Sequence, residues 1–143
     1  MATLIRRRDA DRQTEHWLIF AEDIHIGSIG VRGGVPIHAE QWQWTVSAFP
    51  ASRRGIRDAG IAPDFQTARA AFERCWCEIE PQITEADRLE HRRARAHTAW
   101  KNKMWESGCK LPTQVASGRS QCYCGAKIDN QSVGPHIDAE HTS

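Results

Sequence analysis

Apolar residues fall into two periods along this chain: a two-residue alternation before position 50 and a three-to-four-residue spacing after position 64. The clearest alternation is QWQWTVSAF (41–49). There Trp42, Trp44, Val46 and Ala48 share one face, and Gln41, Gln43, Thr45 and Ser47 share the other. This is the pattern of an antiparallel strand buried on one side. Two earlier runs, HWLIFAED (16–23) and IHIGSIGVRG (24–33), also read as strands, paired across a tight junction at Glu22-Asp23. In the second run Ile24 and Ile26 hold one phase while Ile29 and Val31 hold the other; a bulge at Gly27 reconciles them. Residues 1–14, with Arg6, Arg7 and Arg8 in succession, show neither period and are expected to form a flexible basic tail.

The loop at 50–63 carries Arg53, Arg54 and Arg57, with a short edge strand expected near 60–62. Asp64 is placed to cap a helix that runs to about residue 80 and stops at Pro81. Phe65, Ala68, Phe72, Cys75, Trp76 and Ile79 form its apolar face, matched to the Trp42/Trp44 side of the sheet. Thr84-Glu85-Ala86-Asp87 reads as a capping sequence for a second helix, ended by Gly108 and roughly 35 Å long. Its seam of Leu89, Ala96, Trp100 and Met104 is thin, so much of it should face solvent.

The expected fold is α+β. A small antiparallel three-stranded sheet backed by a helix occupies 15–82, followed by an extended basic helix at 83–108. A linker at 109–121 leads to a C-terminal zinc-finger-like module at 122–143.

A net charge of +1 gives no global electrostatic argument for any partner. Charge is uneven locally, with seven Lys/Arg against two Glu in 88–110. Six tryptophans supply enough aromatic surface for a core despite the hydrophilic average. No run of 18 apolar residues and no apolar signal segment near the start is present, so neither a membrane partner nor secretion is expected, and the expected compartment is the cytoplasm. Cys75 and Cys77 diverge by about 200° on a helix, which disfavours a disulfide or a shared metal there.

The strongest chemical signal is QCYCGAKIDNQSVGPHIDAEHTS. Cys122, Cys124, His136 and His141 supply two thiolates and two imidazoles at the ends of a short loop, a tetrahedral zinc set. With Ile128, Val133 and Ile137 as its only aliphatic residues, the segment needs a clamp to hold a fold. Gly125 provides a tight turn after Cys124, and Pro135 can open a short helix bearing both histidines. The one-residue gap between the cysteines is narrower than the usual two to four.

The tail resembles a degenerate two-cysteine, two-histidine zinc finger. The resemblance implies a structural zinc, but Asp138 and Glu140 between the histidines disfavour direct base reading by that helix. IGSIGV, WQWTVSAF and GIAPDFQTARAAFERCW together resemble the three-stranded, helix-backed DNA-binding domains of phage-type integrases and plant ethylene-response factors. That resemblance implies DNA contact through the sheet face bearing Gln41, Gln43, Thr45 and Ser47, which lacks those families' arginines. Taken as a whole, the chain resembles an uncharacterised family of small bacterial proteins. These join a Trp-x-Trp strand, an Ala-rich helix, a basic helix ending in Trp, and a Cys-x-Cys-Gly…His tail. That resemblance implies no activity.

Arg88, Arg92, Arg95 and Lys103 fall within about an 80° sector of the second helix, a stripe able to neutralise phosphates. The same charges also suit a solvated face paired with Glu85, Asp87 and Glu90. Catalysis has no motif behind it: a Gly-rich phosphate loop, a nucleophile elbow and His-Glu-x-x-His are all missing. The expectation is a non-enzymatic zinc protein that contacts nucleic acid through Arg53, Arg54, Arg57, Arg88, Arg92, Arg95 and Lys103. The alternative is a protein-interaction adaptor or assembly subunit whose contact surface is an exposed Trp100 or Trp105 together with the zinc module. The oligomeric state stays open.

Overall fold

Backbone pairing, rather than apolar pattern alone, decides the size of the sheet. A computed structural model describes residues 3–142 of the chain, which divides into two units, Met1–Arg88 and Leu89–Ser143. In the first, β1 (Leu4–Arg8), β2 (His16–Ala21), β3 (Ile24–Val31), β4 (Trp42–Ser47) and β5 (Arg57–Ala62) form an antiparallel meander in chain order. The sheet therefore has five strands where the apolar pattern predicts three.

Of the additional strands, β5 extends the short edge strand expected near 60–62, while β1 has a physical reason that hydropathy misses. All five residues of β1 pair with β2, from Leu4 opposite Ala21 to Arg8 opposite Trp17. Its arginines lie on aromatic faces: Arg6 is 4.5 Å from the Trp17 ring centroid and 4.9 Å from Phe65, and Arg7 is 5.1 Å from Phe20. Each such contact contributes about 0.5–1 kcal/mol at an exposed site. Residues 4–8 of the expected basic tail are thus an edge strand; residues 1 and 2 lie outside the described residues. On the other edge, β5 pairs with β4 over six residues, and Gly60 sits opposite Trp44. A Cβ at Gly60 would come within 2.6 Å of Trp44 Nε1, so the indole fills the space above that glycine.

The phase change in β3 is resolved as expected. Ile19 pairs with Gly27 and Phe20 with His25, leaving Ile26 as the extra residue of a bulge. Ile24, Ile26 and Ile29 then all face the core, each no more than 3% exposed. Gly27 is required by close approach: a Cβ there would lie 2.0 Å from the Thr45 carbonyl oxygen and 2.8 Å from Phe72 Cε2.

Helix α1 (Phe65–Ile79) starts where Asp64 Oδ1 accepts the Thr67 amide at 2.7 Å. It buries Ala68, Phe72, Cys75, Trp76 and Ile79, and Trp42 meets Phe65 edge-on at 5.5 Å. Full burial of a side chain such as Phe72 contributes about 1.5–3 kcal/mol. Helix α2 (Glu85–Glu106) opens with a reciprocal cap: Thr84 N donates to Asp87 Oδ2 and Asp87 N donates to Thr84 Oγ1. Asp87 is buried, and both its oxygens also accept from Arg54 at 2.8 Å. Arg54 foremost, and then the Thr84 amide, hold the Asp87 carboxyl far below the usual carboxylate range.

In the second unit, the remainder of α2 is followed by a hairpin of β6 (Arg119–Gln121) and β7 (Lys127–Asp129), then α3 (Val133–Glu140). Trp100, Met104, Cys122, Ile128 and Ile137 form a separate buried cluster. The α2 seam is shorter than its pattern implies, since Leu89 is 55% exposed while Trp100 and Met104 are buried. Among the described residues no helix is long and apolar enough to cross a membrane.

Candidate metal centre

Short-range hydrogen bonding shapes the cysteine loop. Gly125, at φ 99°, donates its amide to the Cys122 carbonyl at 2.8 Å, and Cys122 N donates back to the Ala126 carbonyl at 2.8 Å. This closes a tight turn and leaves both sulfurs pointing to one side. On the histidine side, Asp129 Oδ1 accepts the Gln131 and Ser132 amides at 2.9 and 2.8 Å. That turn feeds α3, which begins at Val133, two residues before Pro135. His136 lies within the helix and His141 terminates it, its amide donating to the Ile137 carbonyl.

The four ligand atoms converge, all within 4.8 Å of one another. Cys122 Sγ lies 3.4 Å from His141 Nε2, and Cys124 Sγ lies 3.5 Å from His136 Nε2. The two Nε2 atoms are 3.2 Å apart. Burial foremost, and then the neighbouring His136, lowers the His141 pKa, so the ring favours its neutral, lone-pair-bearing form. The cluster is able to hold a metal ion.

No family model, curated protein or solved structure matches this chain. The site is therefore read from its own chemistry.

Two supporting residues went unrecognised in the sequence. Trp100 is 3% exposed, and its indole N–H donates to Cys122 Sγ at 3.3 Å. The adaptor reading expects this side chain to be exposed; it is instead buried against the cluster. The signal was its place in the α2 seam, which marked it as apolar but gave no hint of the sulfur. Tyr123 Oη lies 2.9 Å from His141 Nδ1. With a metal on Nε2, Nδ1 would carry the proton and donate to the tyrosine oxygen, which would fix the tautomer. Desolvation foremost, and then the charges of Cys122 and Cys124, raises the Tyr123 pKa, so the phenol stays neutral. Cys109 stands outside the four-residue cluster, its Sγ turned toward the Ser107 carbonyl.

Asp138, one of the carboxylates that disfavour base reading, is engaged within the second unit. It lies 3.6 Å from Arg93 Nη2 and 3.3 Å from His97 Nε2, tying α3 to α2. The residues expected to bind nucleic acid are spread out. Arg53 is exposed and stacks on Phe49 at 4.6 Å, and Arg57 is exposed on edge strand β5. Arg54 braces Asp87. On α2, Arg88 and Arg92 are half-buried, Arg95 is exposed, and exposed Lys103 sits 5.5 Å from the Tyr123 ring.

Proposed function

We propose that the cluster is a structural zinc site and that the protein is a non-enzymatic binding protein whose ligand is single-stranded nucleic acid. A tetrahedral zinc with bonds of about 2.3 Å to sulfur and about 2.0 Å to nitrogen sets N–N separations of roughly 3.3 Å and S–N separations of roughly 3.5 Å. The cluster's 3.2 Å and its 3.4 and 3.5 Å support this assignment. Four protein ligands leave zinc no open position for a reacting water, which favours a structural over a catalytic role.

The observation that carries the ligand class is Trp105. Its indole is 83% exposed and stands one helical turn beyond Lys101 on α2. An exposed ring beside cations is the pairing that stacks unpaired bases while neutralising their phosphates. Residues 89–143 hold eight Lys/Arg against five Asp/Glu, a net +3 that supports an anionic partner. In this reading Arg92, Arg95 and Lys103 add phosphate contacts along the same helix. Arg54 serves as a brace for α2.

Anisotropy titration of a labelled single-stranded oligonucleotide tests this. Binding should weaken steeply with salt, and Trp105→Ala should reduce affinity by about 1–3 kcal/mol. Arg92→Glu with Arg95→Glu should flatten the salt slope. No binding to DNA or RNA at low salt removes the proposal. The same exposed indole favours a second reading, an adaptor that seats Trp105 in a protein partner. Stoichiometric co-purification of one protein, unaffected by nuclease, would favour that reading.

A further inference from the structure

The two sulfurs of the cluster are chemically unequal. Cys122 is 2% exposed and its Sγ accepts the Trp100 N–H, so approach is blocked and part of the thiolate charge is neutralised. Cys124 is exposed, and its Sγ meets only the imidazole of His136 among the described residues. Nucleophilic attack by a thiolate depends on access and on available electron density at sulfur. Both factors favour Cys124.

We propose that Cys124 is an oxidation site through which a hydroperoxide opens the metal clasp, an inference that rests on the zinc reading above. Cys124 Sγ attacks the peroxide, an S–O bond forms as the O–O bond breaks, and the departing oxygen takes a proton from solvent. Cys122 Sγ then attacks the Cys124 sulfur; an S–S bond forms and hydroxide leaves, to be protonated to water. Two electrons pass from the two thiolates to the peroxide. The sulfurs lie within 4.8 Å of each other and must close to about 2.05 Å, a movement within one turn of the chain. With both sulfurs consumed, only His136 and His141 remain as ligands.

The small core then decides the outcome. The buried cluster of the second unit is five side chains, and Cys122 is one of them. Without the clasp, this apolar contact is too little to hold α3 and the β6–β7 hairpin in place. Oxidation at one exposed atom is thereby converted into loss of structure across the module. Cys77 is also exposed, but it lies on α1 in the first unit and is not one of the four clustered residues.

The test uses the full chain. Native mass spectrometry first establishes the bound metal; a metal-free protein would bring down the zinc reading and this inference together. Hydrogen peroxide is then added below stoichiometry with a sulfenic-acid trap, while a chromogenic chelator follows zinc. The expected result is trapping at Cys124 at least tenfold above Cys122, with zinc release at the same rate. Trp100→Phe should bring the two cysteines toward parity, and Cys77→Ser should leave the release rate unchanged. Equal trapping at the two cysteines in the unmodified chain, or zinc retained after Cys124 is oxidised, overturns the proposal and leaves the zinc site standing.

Discussion

Replacing Trp100 with Phe removes one N–H from the cysteine–histidine cluster and keeps most of a buried aromatic side chain. The indole donates to Cys122 Sγ at 3.3 Å, and a hydrogen bond to a charged acceptor contributes about 1.5–3 kcal/mol. A neutral thiol is a weak acceptor, so nearly all of that energy belongs to the thiolate that binds metal. At 1.4 kcal/mol per factor of ten, the expected loss is about 10–100-fold in metal affinity, the range found when outer partners of metal ligands are removed. Competition against a chelating dye at neutral pH measures it. Packing lost with the smaller ring also weakens binding, so a second readout is needed. In the cobalt-loaded protein, the sulfur-to-metal charge-transfer band should move to lower energy, because a sulfur without its donor holds its electrons less tightly. Met104→Leu, which alters the same cluster but keeps the indole donor to Cys122 Sγ, should leave the band in place. An affinity within twofold of the parent and an unmoved band would refute the role given to Trp100.

Chelation should unfold the second unit and spare the first: hydrogen exchange at β6, β7 and α3 should become fast, while β2–β4 and α1 stay protected. Acid should release the Arg54–Asp87 pair, a change followed by circular dichroism. Asp87, lowered from 3.8, contributes fully above that value and fails only as pH drops further through its folded pKa, releasing the Arg54 brace and the α2 cap. Gly27→Ala should lower stability to urea by about 3 kcal/mol, since backbone of β4 and the Phe72 ring must both move; a change below about 1 kcal/mol would contradict the close approach. Glu22 adopts φ 56° at the β2–β3 turn, so Glu22→Gly should raise stability by about 0.5 kcal/mol, the relief of left-handed strain less the entropy lost at glycine.

The sequence was most legible where one residue's chemistry fixed its own surroundings. Ile24, Ile26 and Ile29 announced the bulge because only an extra residue puts them on one side. Asp64 and the Thr84–Asp87 cap marked both helix starts through side chains that answer nearby amides. The cysteine and histidine spacing pointed to a cluster whose four ligand atoms do converge. What stayed hidden depended on partners distant in sequence. Strand β1 exists because Arg6 and Arg7 meet rings from β2 and α1, and a run of arginines by itself reads as solvated chain. Trp100 looked like any apolar seam residue, since its sulfur partner lies 22 positions away. Arg54 looked like a phosphate ligand for the same reason; its carboxylate lies 33 positions along the chain.

The border formed by β1 has a consequence for association. An unpaired strand edge is an open template, ready to accept a strand from a neighbouring molecule. Here the template is written in Arg6, Arg7 and Arg8, and a second copy arriving edge to edge would bring its own three guanidiniums alongside. Like charges about 4 Å apart repel by about 1 kcal/mol even in water, and several such pairs would accumulate along five residues. Such repulsion opposes pairing of two copies along that edge.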